Sequence, residues 1–125
     1  MAGNKILIVE DDPDVVQSFT SNLKKRGYEV VSTSDGAEGL AKAMQEKPDL
    51  ILVGVELPGM DGFTLVRRLK REPAAKGIPI IVLASNEPVK DLFLMEGVQD
   101  YFIKSVNPEG LFAAIEKNLS SRRPS

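Results

Sequence analysis

Residues 49–62 read DLILVGVELPGMDG. The apolar run 50–53 is followed by a Gly- and Pro-rich turn holding Glu56 and Asp61, the pattern of a buried strand that delivers its carboxyl end into a loop. Gly54 stands at the mouth of that strand. In an open α/β sheet, ligands and chemistry gather at the carboxyl ends of the strands. The position that should offer a reactive side chain therefore offers none.

Working outward, KILIV at 5–9 is a second continuous apolar run, suited to a strand covered on both faces, and it runs into Glu10, Asp11 and Asp12. Asp12 as N-cap and Pro13 as first residue start a helix to about Lys25, with Val15, Val16, Phe19 and Leu23 on one stripe and Gly27 as its stop. Glu29–Thr33 reads as a strand, and Asp35 caps a helix with an expected apolar face of Ala37, Leu40, Ala41 and Met44. After the turn, a helix over 62–72 carries Phe63, Val66 and Leu69 until Pro73 ends it, and 79–83 is a fourth strand. Asn86-Glu87-Pro88 opens a short helix with Val89, Leu92, Phe93 and Glu96 on one side, closed by Gly97. Leu94 falls opposite that stripe and has no place in the core. A short strand at 101–103 precedes a last helix, opened by Asn107-Pro108, with Leu111, Phe112, Ile115 and Leu119 on one face; residues 120–125 are expected to fray.

Strands and helices that alternate in this way imply a parallel sheet wrapped on both faces, because each parallel connection needs a crossover. The expected fold is a doubly wound, flavodoxin-like α/β domain with a five-stranded sheet in the order 2-1-3-4-5 and five helices. It is expected to be one domain over 1–125, with its core at 5–119 and a polar tail at 120–125, since 125 residues fall short of a prior of ~150 per domain. Composition narrows the chemistry further. Apolar residues at 42% and charged residues at 27% are ordinary for a globular chain, so neither disorder nor a fibre is indicated. A formal charge of −2 gives no field to attract nucleic acid, and no apolar run is long enough to span a bilayer; the expected location is the cytoplasm. Without Cys or His there are no thiol nucleophiles, disulfides, imidazole bases or usual transition-metal ligands, which leaves carboxylate, hydroxyl, lysine and backbone.

ILIVEDD at 6–12, DLILVGVELPGMDG at 49–62, PIIVLAS at 79–85 and DYFIKS at 100–105, in this order and at these separations, resemble the receiver domain of bacterial response regulators. The resemblance implies a two-component phosphorelay switch, in which an aspartate at the end of the third strand accepts a phosphoryl group from a histidine kinase beside Mg²⁺. Mapped by motif, the metal-holding acids are Glu10 and Asp11, the metal-binding carbonyl belongs to Glu56, and the phosphate-sensing positions are Ala84, Lys104 and Tyr101. The mapping also shows where the chain departs from the family. The phosphoacceptor position is Gly54, which provides no nucleophile for an acyl phosphate. The hydroxyl position is Ala84, and Ser85, one residue on, should turn to the other face. The position of the family's cis-proline is Ser105, where a cis bond is not expected.

The expected function is therefore that of a pseudo-receiver: a response-regulator domain that is not phosphorylated on aspartate, is not an enzyme, and signals by protein–protein interaction through its helix 4, strand 5 and helix 5 face. Leu94, Met95 and Tyr101 are candidates for that docking surface. Phosphotransfer from a histidine kinase and direct nucleic-acid or membrane binding are not expected, and any DNA-binding or enzymatic output would have to come from elsewhere.

Several local alternatives stand beside this reading. Glu10, Asp11 and Asp12 would also serve simply to cap and complement the first helix, or to retain a weak Mg²⁺ site with Glu56. Lys104 would pair with Glu10 or Asp11 once position 54 carries no charge; Gly54 would equally mark a bulge or a close backbone approach, and Tyr101 a core-edge aromatic. Two functional alternatives are a receiver phosphorylated with Mg²⁺ on a displaced carboxylate (Glu56, Asp61 or Asp12) and a small Mg²⁺-dependent phosphatase. The second rests on Asp12-Pro13-Asp14, which faintly resembles the Asp-x-Asp start of haloacid-dehalogenase-type phosphatases. Phosphoryl transfer tolerates little displacement of its nucleophile, which counts against both.

Overall fold

The structure, a computed structural model, describes residues 4–85, 89–104 and 108–122. Asn86-Glu87-Pro88, Ser105, Asn107 and residues 123–125 lie outside the described residues. Ten elements alternate along the chain: β1 (Lys5–Val9), α1 (Pro13–Lys25), β2 (Glu29–Thr33), α2 (Gly36–Glu46), β3 (Leu50–Gly54), α3 (Gly62–Arg71), β4 (Ile80–Ala84), α4 (Lys90–Met95), β5 (Asp100–Ile103) and α5 (Pro108–Arg122). The strands form one parallel sheet in the order β2-β1-β3-β4-β5, as expected of a doubly wound domain. β1, β3 and β4 are almost wholly buried, which is why their sequences are continuous apolar runs rather than alternating ones.

The period of two within each strand sorts the core into two clusters, one on each face of the sheet. Leu7, Val9, Ile51, Val53, Val82 and Tyr101 meet Leu65, Leu69 and Phe93 on one face, while Ile6, Ile8, Leu50, Leu52, Ile81 and Leu83 meet Phe19, Leu23, Phe112 and Ile115 on the other. Each aliphatic side chain fully buried in this way contributes roughly 1.5–3 kcal/mol. Helix starts follow their caps: Asp12 Oδ1 accepts from the backbone N–H of Asp14 (3.0 Å), Asp35 Oδ1 from Ala37 (2.8 Å) and Asp61 Oδ1 from Thr64 (2.8 Å).

Some of the expected faces and bounds are corrected. In α2 the buried residues are Gly36, Gly39 and Ala43, with Leu40 and Met44 half-buried, while Ala37 and Ala41 are exposed. The glycines let α2 sit against its neighbours more closely than an alanine stripe would allow: a Cβ on Gly39 would come within 2.8 Å of Val9 Cγ1. In α3 Leu65 joins the buried face, and the helix ends at Arg71 with Glu72 as its C-cap. β4 and β5 each begin one residue away from expectation. Leu92 is 53% exposed rather than packed beside Phe93. α5 continues through residues 120–122, where fraying was expected.

Candidate functional site

The register of the sheet fixes which residues meet at its carboxyl edge. Val9 pairs with Val53, so the residues that follow, Glu10 and Gly54, are neighbours; Leu83 lies beside Gly54, and Ile103 beside Ala84, which brings Lys104 to the same edge. Glu10, Gly54 and Lys104 share the parity of Ile8, Leu52 and Phe102, and so continue one face of the sheet. Backbone bonds hold this edge: Glu10 N–H donates to Thr33 O (3.1 Å), Val55 N–H to Leu83 O (3.2 Å) and Lys104 N–H to Ala84 O (2.8 Å).

Of the two acids available to it, Lys104 pairs with Glu10. Its Nζ lies 2.8 Å from Glu10 Oε2, and the same oxygen accepts the backbone N–H of Asp12 at 2.9 Å. Glu10 is 1% exposed. Its other oxygen, Oε1, is buried with no hydrogen-bond partner among the described residues. A Cβ built on Gly54 would collide with that oxygen and would lie 3.2 Å from Glu10 Cδ. The Glu10 carboxylate thus fills the volume that a side chain at position 54 would need. Burial raises the affinity of Glu10 for its proton, and the hydrogen bonds from Lys104 and Asp12 only partly counter this, leaving the carboxyl above its ordinary range.

This arrangement does not fit Mg²⁺. An octahedral ion held by protein carboxylates needs their lone pairs turned toward a common point. Here Glu10 Oε2 is taken by two donors, one of them a cation, and Oε1 is sealed against Gly54. Asp11 is exposed, Glu56 was expected to offer its backbone carbonyl rather than its side chain, and no group of three metal-ligating side chains is found among the described residues.

The remaining candidates divide between the core and a cavity that borders this centre at Lys104. Ala84 is 2% exposed on the opposite face of the sheet, where Tyr101, 7% exposed, stacks obliquely on Phe93 with ring centroids 6.0 Å apart. Tyr101 therefore lies inside the core edge, and the large apolar side chains exposed nearby are Leu92, Leu94 and Met95. Ser85 is exposed and lines, with Ala84, Tyr101 and Lys104, a cavity of about 220 Å³. Asp12 and Asp61 spend their carboxylates as helix caps. Sequence reasoning expects Glu10 and Lys104 to converge on Gly54, but it missed that the Glu10 carboxylate would fill the side-chain space there, which the β1–β3 register, once known, makes available.

The fold is that of a response-regulator receiver. The sequence matches the response regulator receiver domain family over residues 6–116, and the chain belongs to that family, a signalling module of two-component systems. It is 34% identical to protein PilH of Pseudomonas aeruginosa over 118 residues, covering 93% of this chain and 98% of PilH. It is 37% identical to the alkaline phosphatase synthesis transcriptional regulatory protein PhoP of Bacillus subtilis, covering 92% of this chain but about half (48%) of PhoP. Among solved structures, the BeF3-activated N-terminal receiver domain of RstA from Klebsiella pneumoniae superposes with a TM-score of 0.86 at 36% identity, covering 96% of this chain and 100% of that one. Receivers of this family work by contact with signalling proteins such as kinases and effectors. No helix among the described residues is long and apolar enough to cross a membrane.

Proposed function

We propose that this chain is a pseudo-receiver: a response-regulator domain that takes no phosphoryl group on aspartate, catalyses no reaction, and signals through a surface whose conformation is set without phosphate. The observation that carries the reading is the Glu10 carboxylate, which occupies the space at Gly54 and neutralises Lys104 at 2.8 Å. In a receiver that lysine serves the incoming phosphoryl group, whereas here its charge is already satisfied by a neighbour within the chain. Ala84 supports the same reading, since a methyl group cannot hydrogen-bond a phosphoryl oxygen. The reading treats residues 5–119 as one receiver unit and places its partner contacts on α4, β5 and α5, with Leu94 and Met95 as the exposed apolar anchors.

Incubation with acetyl phosphate and Mg²⁺ is expected to leave the intact mass unchanged, and beryllofluoride is expected to leave the amide spectrum unchanged. A stable mass gain localised to Glu56, Asp61 or Asp12 would favour the displaced acceptor instead. Gly54→Asp must evict the Glu10 carboxylate before it can accept phosphate, and with Ala84 still in place it is expected to restore little switching; full activation by that single change would remove the role given to Ala84.

A further inference from the structure

A groove of about 500 Å³ opens between the β3–α3 loop, the start of α3 and α4, on the side of α4 that carries Leu92. Its wall is apolar, built from Val55, Leu57, Phe63, Val89, Leu92 and Phe93, and its size falls in the range of roughly 300–1,000 Å³ typical of ligand sites. The charged residues that line it, Glu56 and Asp61, are both acidic and exposed, and neither makes an ion pair among the described residues. Contacts join the two helices beneath it: the Phe63 and Phe93 rings meet edge to face at 5.3 Å, and Arg67, which covers Phe63 at 5.9 Å, reaches Glu96 at 3.9 Å across α3 and α4. Met95 follows Leu92 by one helical step of three residues and is 82% exposed, so the apolar strip continues along α4 beyond the groove. Leu94 lies on the other flank of the short helix and does not line the groove.

We infer that this groove is a docking site for a basic amphipathic peptide segment of a partner protein, which inserts a leucine-sized side chain over Phe93 and sets a Lys or Arg beside Glu56 and Asp61. The charge pattern selects that occupant. An acidic segment would bring like charge to two carboxylates that have no counter-ion, and an uncharged apolar ligand would leave both of them unmatched. Leu92 is the residue that most needs cover, since it is the exposed apolar member of the lining. The inference stands apart from the state of Gly54, because none of its residues belongs to the Glu10–Lys104 centre.

The test uses the full chain, isotope-labelled, titrated with two short amphipathic peptides of alternating Leu/Lys and Leu/Glu composition, each followed by amide shifts. The Leu/Lys peptide is expected to bind saturably, with shifts centred on Val55, Leu57, Phe63 and Leu92. Leu92→Ser, at an exposed position that leaves the core intact, is expected to weaken it about tenfold. Glu56→Lys is expected to weaken it too and to favour the Leu/Glu peptide, and Ala41→Ser, on the exposed side of α2, to change nothing. Absence of saturable shifts, an equal loss on Ala41→Ser, indifference to Glu56→Lys, or concentration-dependent shifts of the same amides without peptide, which would mark a second copy as the occupant, each overturns the inference.

Discussion

A methyl group added at Gly54 cannot share its place with Glu10 Oε1, so position 54 and the rotamer of Glu10 are a single structural choice. The carboxylate is 1% exposed, with Lys104 as its charge partner. Taking an ion from water is costly, and removal of one partner of a buried pair leaves the other uncompensated. Lys104→Met is therefore expected to lower unfolding free energy by about 3 kcal/mol at neutral pH, read by urea denaturation. The pH dependence has a definite sign. Because burial holds the native Glu10 carboxyl above its ordinary value of 4.5, the folded chain binds more protons than the unfolded chain from that value up to the raised one. Stability from this group is greatest below the window and falls as pH rises through it. Glu10→Gln lacks that titration, so the stability of the wild-type chain relative to this variant is expected to decline as pH rises through the window; parallel curves would mean that Glu10 does not titrate in this way. The ion pair could be anticipated from the receiver resemblance, which maps Glu10, Asp11 and Lys104 to one site, whereas the orphaned oxygen could not, because it depends on how two adjacent strands bring Glu10 and Gly54 together.

At the scale of elements, the legible parts of the sequence were those where burial is written in apolar residues. β1, β3 and β4 show as unbroken runs, and the stripe of α5 at Leu111, Phe112, Ile115 and Leu119 is buried throughout. The α2 face was misread because its contact is made by glycine, which carries no hydropathy signal and is recognised only when its neighbours are known. Leu92 was misplaced for a related reason: a helix of six residues is too short for periodicity to fix its rotation. Gly62, the first residue of α3, shows what such close contacts demand. A Cβ there would run into the backbone carbonyl of Gly54 and lie 2.9 Å from Val55 Cα, and its own N–H donates to Val55 O at 2.8 Å. Backbone atoms cannot swing aside as a side chain can, so Gly62→Ala is expected to cost about 1–3 kcal/mol in urea denaturation. An unchanged midpoint would show that the loop gives way.

For the whole molecule, the same strands carry both apolar clusters, so loss of the helices from either face would uncover strands on which the other face is also built. The two tyrosines sample the two faces separately: Tyr101 lies in the cluster with Phe93, while Tyr28 packs against the cluster of Phe19 and Phe112. Tyr28→Phe and Tyr101→Phe chains each keep one fluorescent reporter, since the sequence has no tryptophan. Their urea transitions, each compared with the far-ultraviolet circular dichroism of the same chain, are expected to coincide, as for a single cooperative unit of this size. Separated transitions would show that one layer melts first.

Gly36 at the start of α2 has its N–H bonded to Pro58 O at 3.2 Å, and a Cβ on it would run into the backbone carbonyl of Met60. The loop that follows β3 is thus clamped to a helix whose sequence lies before that strand. A side chain added at Gly36 would therefore act on the β3–α3 loop as much as on α2, shifting Met60 and the turn that carries Glu56 and Asp61 although position 36 lies before that strand in the chain.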